Sequence, residues 1–146
     1  MQTNRAQNQL AVDDYLIQEG RMRLVDAIVS ADAGQAVTRA VVKSSWPLFR
    51  DGLVSPMIIV ELVAQTAGIN IRWNELQKDK DAPPGGGLLV GIKKADFFID
   101  AIAVDRVIVT RAIKGYRYLN YAEYTGAATI DEKPAAEAVL QVLRTD

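Results

Sequence analysis

The stretch Ser55-Pro56-Met57-Ile58-Ile59-Val60-Glu61-Leu62-Val63-Ala64-Gln65-Thr66-Ala67-Gly68 decides how this chain is read. Ser followed by Pro is a helix start: the Ser oxygen caps an early amide, and Pro at the first helical position has no amide to leave unpaired. The residues that follow are apolar nearly all round, so the helix is expected inside the protein rather than on its surface. It is expected to run to about Gln77, which makes it about 33 Å long at roughly 1.5 Å per residue. Glu61 and Gln65 stand one turn apart on a single face, and Gly68 and Arg72 continue the same stripe. A carboxylate and an amide in such a helix need a partner or a purpose, because burying an unpaired polar group is costly.

Before the helix, residues 22–29 are apolar and β-branched and read as a strand. Residues 31–35 carry Asp and Gly and read as a turn, and residues 36–42 read as the returning strand of a hairpin. Residues 44–53, with Pro47 and Gly52, form a loop. After the helix, the Pro/Gly-rich residues 78–87 form a connector; they lack the Gly-Lys-Ser/Thr ending of a phosphate loop. Strand-like segments follow at 88–93, 96–99, 104–114, 116–125 and 127–130. Residues 135–144 stay ambiguous, since Ala and Glu favour helix while Val139, Leu140, Val142 and Leu143 suit a strand. The order of hairpin, one long buried helix and several antiparallel strands is that of an α+β domain with its sheet wrapped on a single helix.

The chain has 146 residues, 49% of them hydrophobic and 24% charged, which suits one globular domain over 1–146 with residues 1–12 as a flexible lead-in. A formal net charge of -1 gives no electrostatic footprint for nucleic acid. No apolar run approaches the roughly 20 residues that span a bilayer, and residues 1–9 do not read as a secretory signal, so a cytoplasmic protein is expected. There is no cysteine and no histidine. Disulfides are therefore excluded, zinc and most transition-metal sites are not expected, and no cofactor is called for.

The helix resembles that of the 3-hydroxyacyl-(acyl carrier protein) dehydratases of the hotdog fold, in which an antiparallel sheet curls round one long central helix. Their helix carries an apolar run, then Glu, then Ala-Gln three residues on, then small residues. Three flanking segments are similar as well: Leu24-Val25-Asp26, the Gly91-Ile92-Lys93-Lys94-Ala95-Asp96-Phe97 strand, and Asp105 where the family has a Pro-Gly-Asp turn. The resemblance covers residues 16–109. It departs where the family carries its catalytic His: a Gly-His-Phe-Pro loop is replaced by Trp46-Pro47-Leu48-Phe49-Arg50-Asp51-Gly52, and a Pro-His-Arg by Ile17-Gln18-Glu19. The Phe49-x-x-Gly52 loop looks closer to a divergent branch, the dehydratase-like proteins of aryl polyene and related polyketide or fatty-acid-type pathways.

The resemblance implies acid–base work by Glu61 on 3-hydroxyacyl or enoyl thioesters, with Gln65 as its orienter. It implies a thioester carbonyl held by the Met57 and Ile58 amides at the helix start, with Phe49 and Gly52 as further substrate-binding positions. The partner it implies is an acyl carrier protein presenting a phosphopantetheine arm. The loose basic set Lys93, Lys94, Arg106, Arg111, Lys114 and Arg117 would suit such a partner, while solvated strand faces account for most of it more simply. Trp46, Phe49, Phe97 and Phe98 either line an acyl tunnel or form core. A homodimer, or a heterodimer with a related hotdog subunit, is implied because the family builds its site across a two-fold interface. Whether the chain is an enzyme stays open on the residues alone. The alternatives are a non-catalytic subunit paired with a His-bearing dehydratase, or a hotdog acyl thioesterase with its carboxylate on the helix.

Overall fold

Alternation of buried and exposed side chains runs through the strands of the second half, and it sets the fold. In Val107–Tyr118 the first seven positions alternate, and Tyr121–Ile130 alternates through most of its length, each strand turning one face inward. A computed structural model describes residues 10–16 and 18–145. Its elements are α1 (Val12–Tyr15), a 3-10 turn (Gly20–Met22), β1 (Ala27–Ala31), β2 (Gln35–Val41), β3 (Phe49–Arg50), β4 (Leu53–Val54), α2 (Ile58–Lys78), β5 (Gly86–Phe97), β6 (Ile102–Ala103), β7 (Val107–Tyr118), β8 (Tyr121–Ile130) and β9 (Lys133–Thr145). Six strands form one antiparallel sheet in the order β1-β2-β7-β8-β9-β5, and β3, β4 and β6 form a small second sheet. The long helix α2 touches every strand of the large sheet. This is the expected α+β arrangement of a sheet curled on one central helix.

The helix is buried on most of its circumference, through Ile58, Ile59, Leu62, Val63, Gln65, Thr66, Ala67, Ile69, Asn70 and Ile71. Close approach to the sheet depends on Gly126 in β8, where an added Cβ would stand 2.3 Å from Val63 Cγ1. Polar side chains on the helix then fix its placement. Thr66 Oγ1 lies 2.8 Å from Thr38 Oγ1 on β2 and donates to Leu62 O. Asn70 Nδ2 donates to Asp32 O at 2.6 Å, Asn74 Nδ2 donates to Ala33 O, and the buried Tyr124 hydroxyl donates to Asn70 Oδ1 at 2.5 Å. Burial pushes the Tyr124 phenol well above its ordinary value, so it stays protonated as that donor.

Several expectations shift. The helix proper begins at Ile58, after a turn over residues 55–57 in which the Met57 amide donates to Ser55 Oγ at 3.3 Å. The segments expected at 88–93 and 96–99 are one strand, β5, carried through two register shifts. The ambiguous residues 135–144 are strand, because β9 lies between β8 and β5 and is paired on both edges, a place no helix can fill. Tyr116 and Tyr118 end β7 instead of opening the next strand, and the turn falls at 119–120, with Leu119 at a φ of 54°. The lead-in expected at 1–12 lies outside the described residues up to 9. Beyond that, Val12 and Leu16 join the core. No helix among the described residues is long and apolar enough to cross a membrane.

Candidate active site

Gln65 is fully buried, and both ends of its amide are engaged. Its Oε1 accepts from the Leu24 amide at 3.1 Å and the Val25 amide at 3.4 Å. Its Nε2 donates to Met22 O at 2.6 Å and to Glu61 Oε1 at 3.0 Å. The side chain therefore pins the segment entering β1 to the helix and spends its second donor on Glu61. The Leu24-Val25-Asp26 run gains a physical account: two of its amides face Gln65. The Asp26 carboxylate in turn accepts from the Val41 amide and from Lys43 Nζ, both at 2.7 Å.

Glu61 is half-buried and lines a cleft of about 260 Å³. One wall is the helix stripe Glu61, Ala64, Gln65, Gly68, Arg72 and Glu75. Gly68 leaves that wall open, since a Cβ there would meet nothing within 4 Å. The lining also takes in Asp13, Asp14, Tyr15 and Gln18 from the α1 region, and Gly87 and Leu89 from β5. Arg72 and Glu75 also anchor the connector: Arg72 Nη2 donates to Ala82 O at 2.8 Å and Nη1 to Pro83 O at 3.1 Å, while Glu75 Oε2 accepts from the Gly85 amide at 3.2 Å. Burial raises the Tyr15 phenol, Asp14 raises it further, and the Arg72 charge partly offsets both.

The other sequence-expected positions fall elsewhere. The Met57 and Ile58 amides do not stand free: Met57 donates to Ser55 Oγ, and Ile58 to Ser55 O at 3.1 Å. The amides of Ile59 and Val60 are likewise taken, by Pro56 O and Met57 O. A tight 3-10 start consumes the donors that a simple α-helical terminus would leave open. Phe49 lies in β3 and Gly52 in the following turn at a φ of 85°; neither lines the Glu61 cleft. Arg50 ends β3 and Asp51 opens that turn, both exposed to solvent, with Arg50 Nε 3.7 Å from Asp51 Oδ2. Trp46 is core, whereas Phe49, Phe97 and Phe98 are exposed and line no part of this cleft.

The basic set divides. Lys93 pairs with Glu123, Lys94 with Asp96, and Arg106 with Asp131. Lys114 instead lies within electrostatic reach of Arg117, Lys78 and Arg144, and burial together with these cations lowers its ammonium. None of the four makes an ion pair among the described residues. Sequence reasoning missed Tyr15, Gln18 and Glu75 as cleft residues. Glu75 was readable, because it extends the Glu61-Gln65-Gly68-Arg72 stripe by one further step of three. No group of three metal-ligating side chains gathers among the described residues.

A sheet curled on one helix, with a Glu–Gln pair facing a cleft at its exposed strand, defines a hotdog protein of the dehydratase-like class. The family model of the ApeP-like proteins, described as ApeP dehydratase, matches residues 10–146, and the chain belongs to that family. Among solved structures it is similar to the dehydratase heterocomplex ApeI:P from Xenorhabdus doucetiae, at 18% identity over 94% of this chain and 92% of that chain, with a TM-score of 0.83. It is also similar to Cj0977, a sigma28-regulated virulence protein from Campylobacter jejuni, at 17% identity over 92% and 85% of the two chains (TM-score 0.68). A hypothetical thioesterase with coenzyme A from Streptococcus pneumoniae shares 15% identity over 81% and 84%, with a TM-score of 0.63. At these identities the likeness is one of fold. No curated protein matches the chain in sequence.

Proposed function

We propose that this chain is one half of a dehydratase for 3-hydroxyacyl thioesters carried on an acyl carrier protein, its Glu61 working with a base supplied by a second hotdog subunit. The observation that carries this reading is the Glu61 cleft itself. It presents a carboxylate oriented by a locked amide, it is bordered by the exposed strand β5, and the chain has no histidine to complete it. Dehydration breaks the β-carbon–oxygen bond and forms the α,β double bond. It therefore needs one group to take the α-proton and another to protonate the departing hydroxyl as water. One carboxylate supplies one of these roles. Family membership and the fold shared with a dehydratase heterocomplex support the partnered reading. In such an assembly the exposed Phe49–Gly52 turn is free to reach the neighbouring subunit. The cations Lys78, Lys114, Arg117 and Arg144 suit an acidic carrier protein, and substrates of this kind place the chain in the cytoplasm.

The test is interconversion of 3-hydroxyacyl and trans-2-enoyl carrier-protein thioesters by the chain alone and by the complex purified from its native host. The complex is expected to be active and the chain alone inactive, with Glu61→Gln lowering the rate of the complex by about 100-fold or more. Full activity of the chain alone removes the partner. No effect of Glu61→Gln removes the assigned role, and release of free thiol reassigns the site to a thioesterase.

A further inference from the structure

The hairpin that joins β7 to β8 ends in a tip remote from the Glu61 cleft. Residues 114–120 read Lys-Gly-Tyr-Arg-Tyr-Leu-Asn and include no carboxylate. Tyr116 is 61% exposed, Tyr118 63% and Leu119 77%, so the apolar bulk of the tip faces solvent. Leu119 stands at the apex, with a φ of 54° at the first of two turn positions. Hairpins give that place to Gly, Asn or Asp, and a leucine there is held against its backbone preference. The tip is tied down. The Tyr116 and Tyr121 rings meet edge to face with centroids 6.0 Å apart, the Arg144 amide donates to Asn120 O at 2.7 Å, and Asn120 Nδ2 donates to Arg144 O at 3.3 Å. Those last bonds set Arg144 beside the turn, and Arg117 lies two residues behind the apex, about 7 Å along a strand. Lys114, Arg117 and Arg144 line one shallow hollow with Ile71 of α2, and the charges that bear on Lys114 are all cations. Glu123, on the neighbouring strand, is already engaged by Lys93 at 3.5 Å and by the Tyr121 hydroxyl at 2.7 Å. An exposed apolar patch rimmed by unpaired like charges is the mark of a docking surface.

We propose that this tip docks the protein on a membrane surface bearing anionic lipid, with Leu119 entering the edge of the hydrocarbon and Arg117 and Arg144 meeting the lipid phosphates. The order of groups at the tip is the order of a bilayer surface. A leucine leads, tyrosines follow with apolar rings and wet hydroxyls, and arginines stand behind. The headgroup layer is roughly 5–8 Å deep, which matches the set-back of Arg117 from the apex. Lys114 and Lys78 add to the positive field, and the cytoplasmic leaflet is the one that carries anionic lipid. Charge alone suits an acidic protein as well, the carrier among them. The leucine decides between the two: a protein receives it only through a pocket shaped for it, whereas a fluid lipid surface yields to a convex tip. The inference stands apart from the thioester reading, since it uses neither Glu61 nor its cleft.

The experiment is flotation of the full chain, in the assembly in which it purifies, with vesicles of phosphatidylcholine alone or of phosphatidylcholine mixed with phosphatidylglycerol. Binding to the mixed vesicles is expected to exceed binding to the neutral ones by about tenfold or more, and to fall as salt is raised. Leu119→Asn suits the backbone of the turn. It is expected to weaken vesicle binding by about fivefold or more while leaving the unfolding midpoint unchanged or higher. Arg117→Gln is expected to weaken binding by about fivefold, on the anionic vesicles alone. Tyr118→Thr, which keeps a good strand residue, provides the same comparison if Leu119→Asn fails to fold. Thioester turnover is read separately and is expected to be the same in Leu119→Asn as in the unaltered protein. Absence of vesicle binding by the unaltered protein, or equal binding to the two kinds of vesicle, overturns the proposal and leaves the thioester reading standing. Three results with Leu119→Asn also overturn it. Unchanged vesicle binding leaves charge as the whole attraction, loss of the oligomer assigns the tip to a subunit interface, and weakened binding of carrier protein with vesicle binding intact assigns it to the carrier.

Discussion

At the scale of the residue, Gln65 joins two jobs that the sequence presents as one. Its oxygen serves two backbone amides, and its nitrogen serves Glu61. Gln65→Leu keeps the volume and orphans the buried Leu24 and Val25 amides. It is expected to destabilise the chain by roughly 3 kcal/mol in denaturant unfolding, whereas Glu61→Gln should change stability by about 0.5 kcal/mol or less. A loss below about 1 kcal/mol for Gln65→Leu would mean that those amides find other partners. The i, i+4 spacing made the Glu–Gln contact legible in the sequence, because a helix fixes such neighbours locally. The partners of Gln65 Oε1 lie 40 and 41 residues away and were not legible, nor were those of Thr66, Asn70 and Asn74 on the hairpin. Tertiary hydrogen bonds of this kind leave no periodic trace.

At the scale of the element, the contact of α2 with β8 is set by the missing side chain of Gly126. Gly126→Ala drives a methyl into Val63 and is expected to cost about 1–3 kcal/mol. Val63→Ala in the same chain should recover a measurable part of that loss, a coupling that a double-mutant cycle reads directly. Additive losses would show that the strand shifts instead of clashing. The strands β7 and β8 were legible through their alternation, but the turn joining them was not. Leu119 occupies a left-handed conformation that an Asn-Gly pair would have announced. The helix start was legible at Ser55-Pro56. The local 3-10 turn that uses up its amides was not, because it depends on how residues 55–57 fold back and not on their identities.

At the scale of the whole molecule, the sheet formed by the described residues has one long unprotected edge. Among those residues β5 pairs only with β9, and Leu88, Leu89, Val90 and Ile92 on it are exposed. Such an edge invites another strand, and proteins that leave it free blunt it with charge. Val90 sits at a register shift of β5, so Val90→Lys is expected to leave the β5–β9 ladder intact. The expected outcome is a variant with unchanged circular dichroism that sediments as a smaller species than the unaltered chain. Unchanged sedimentation would place the interface elsewhere. The same edge borders the Glu61 cleft through Gly87 and Leu89, so loss of assembly and loss of thioester binding should travel together.

The double duty of Gln65 also bears on descent. A lineage that gives up chemistry at Glu61 still needs the amide to hold Leu24 and Val25, so purifying selection on folding alone would preserve half of the pair. The Ala-Gln signature therefore marks kinship among these chains more faithfully than it marks turnover, and the residue facing it, four positions earlier, is where retired and working members should diverge.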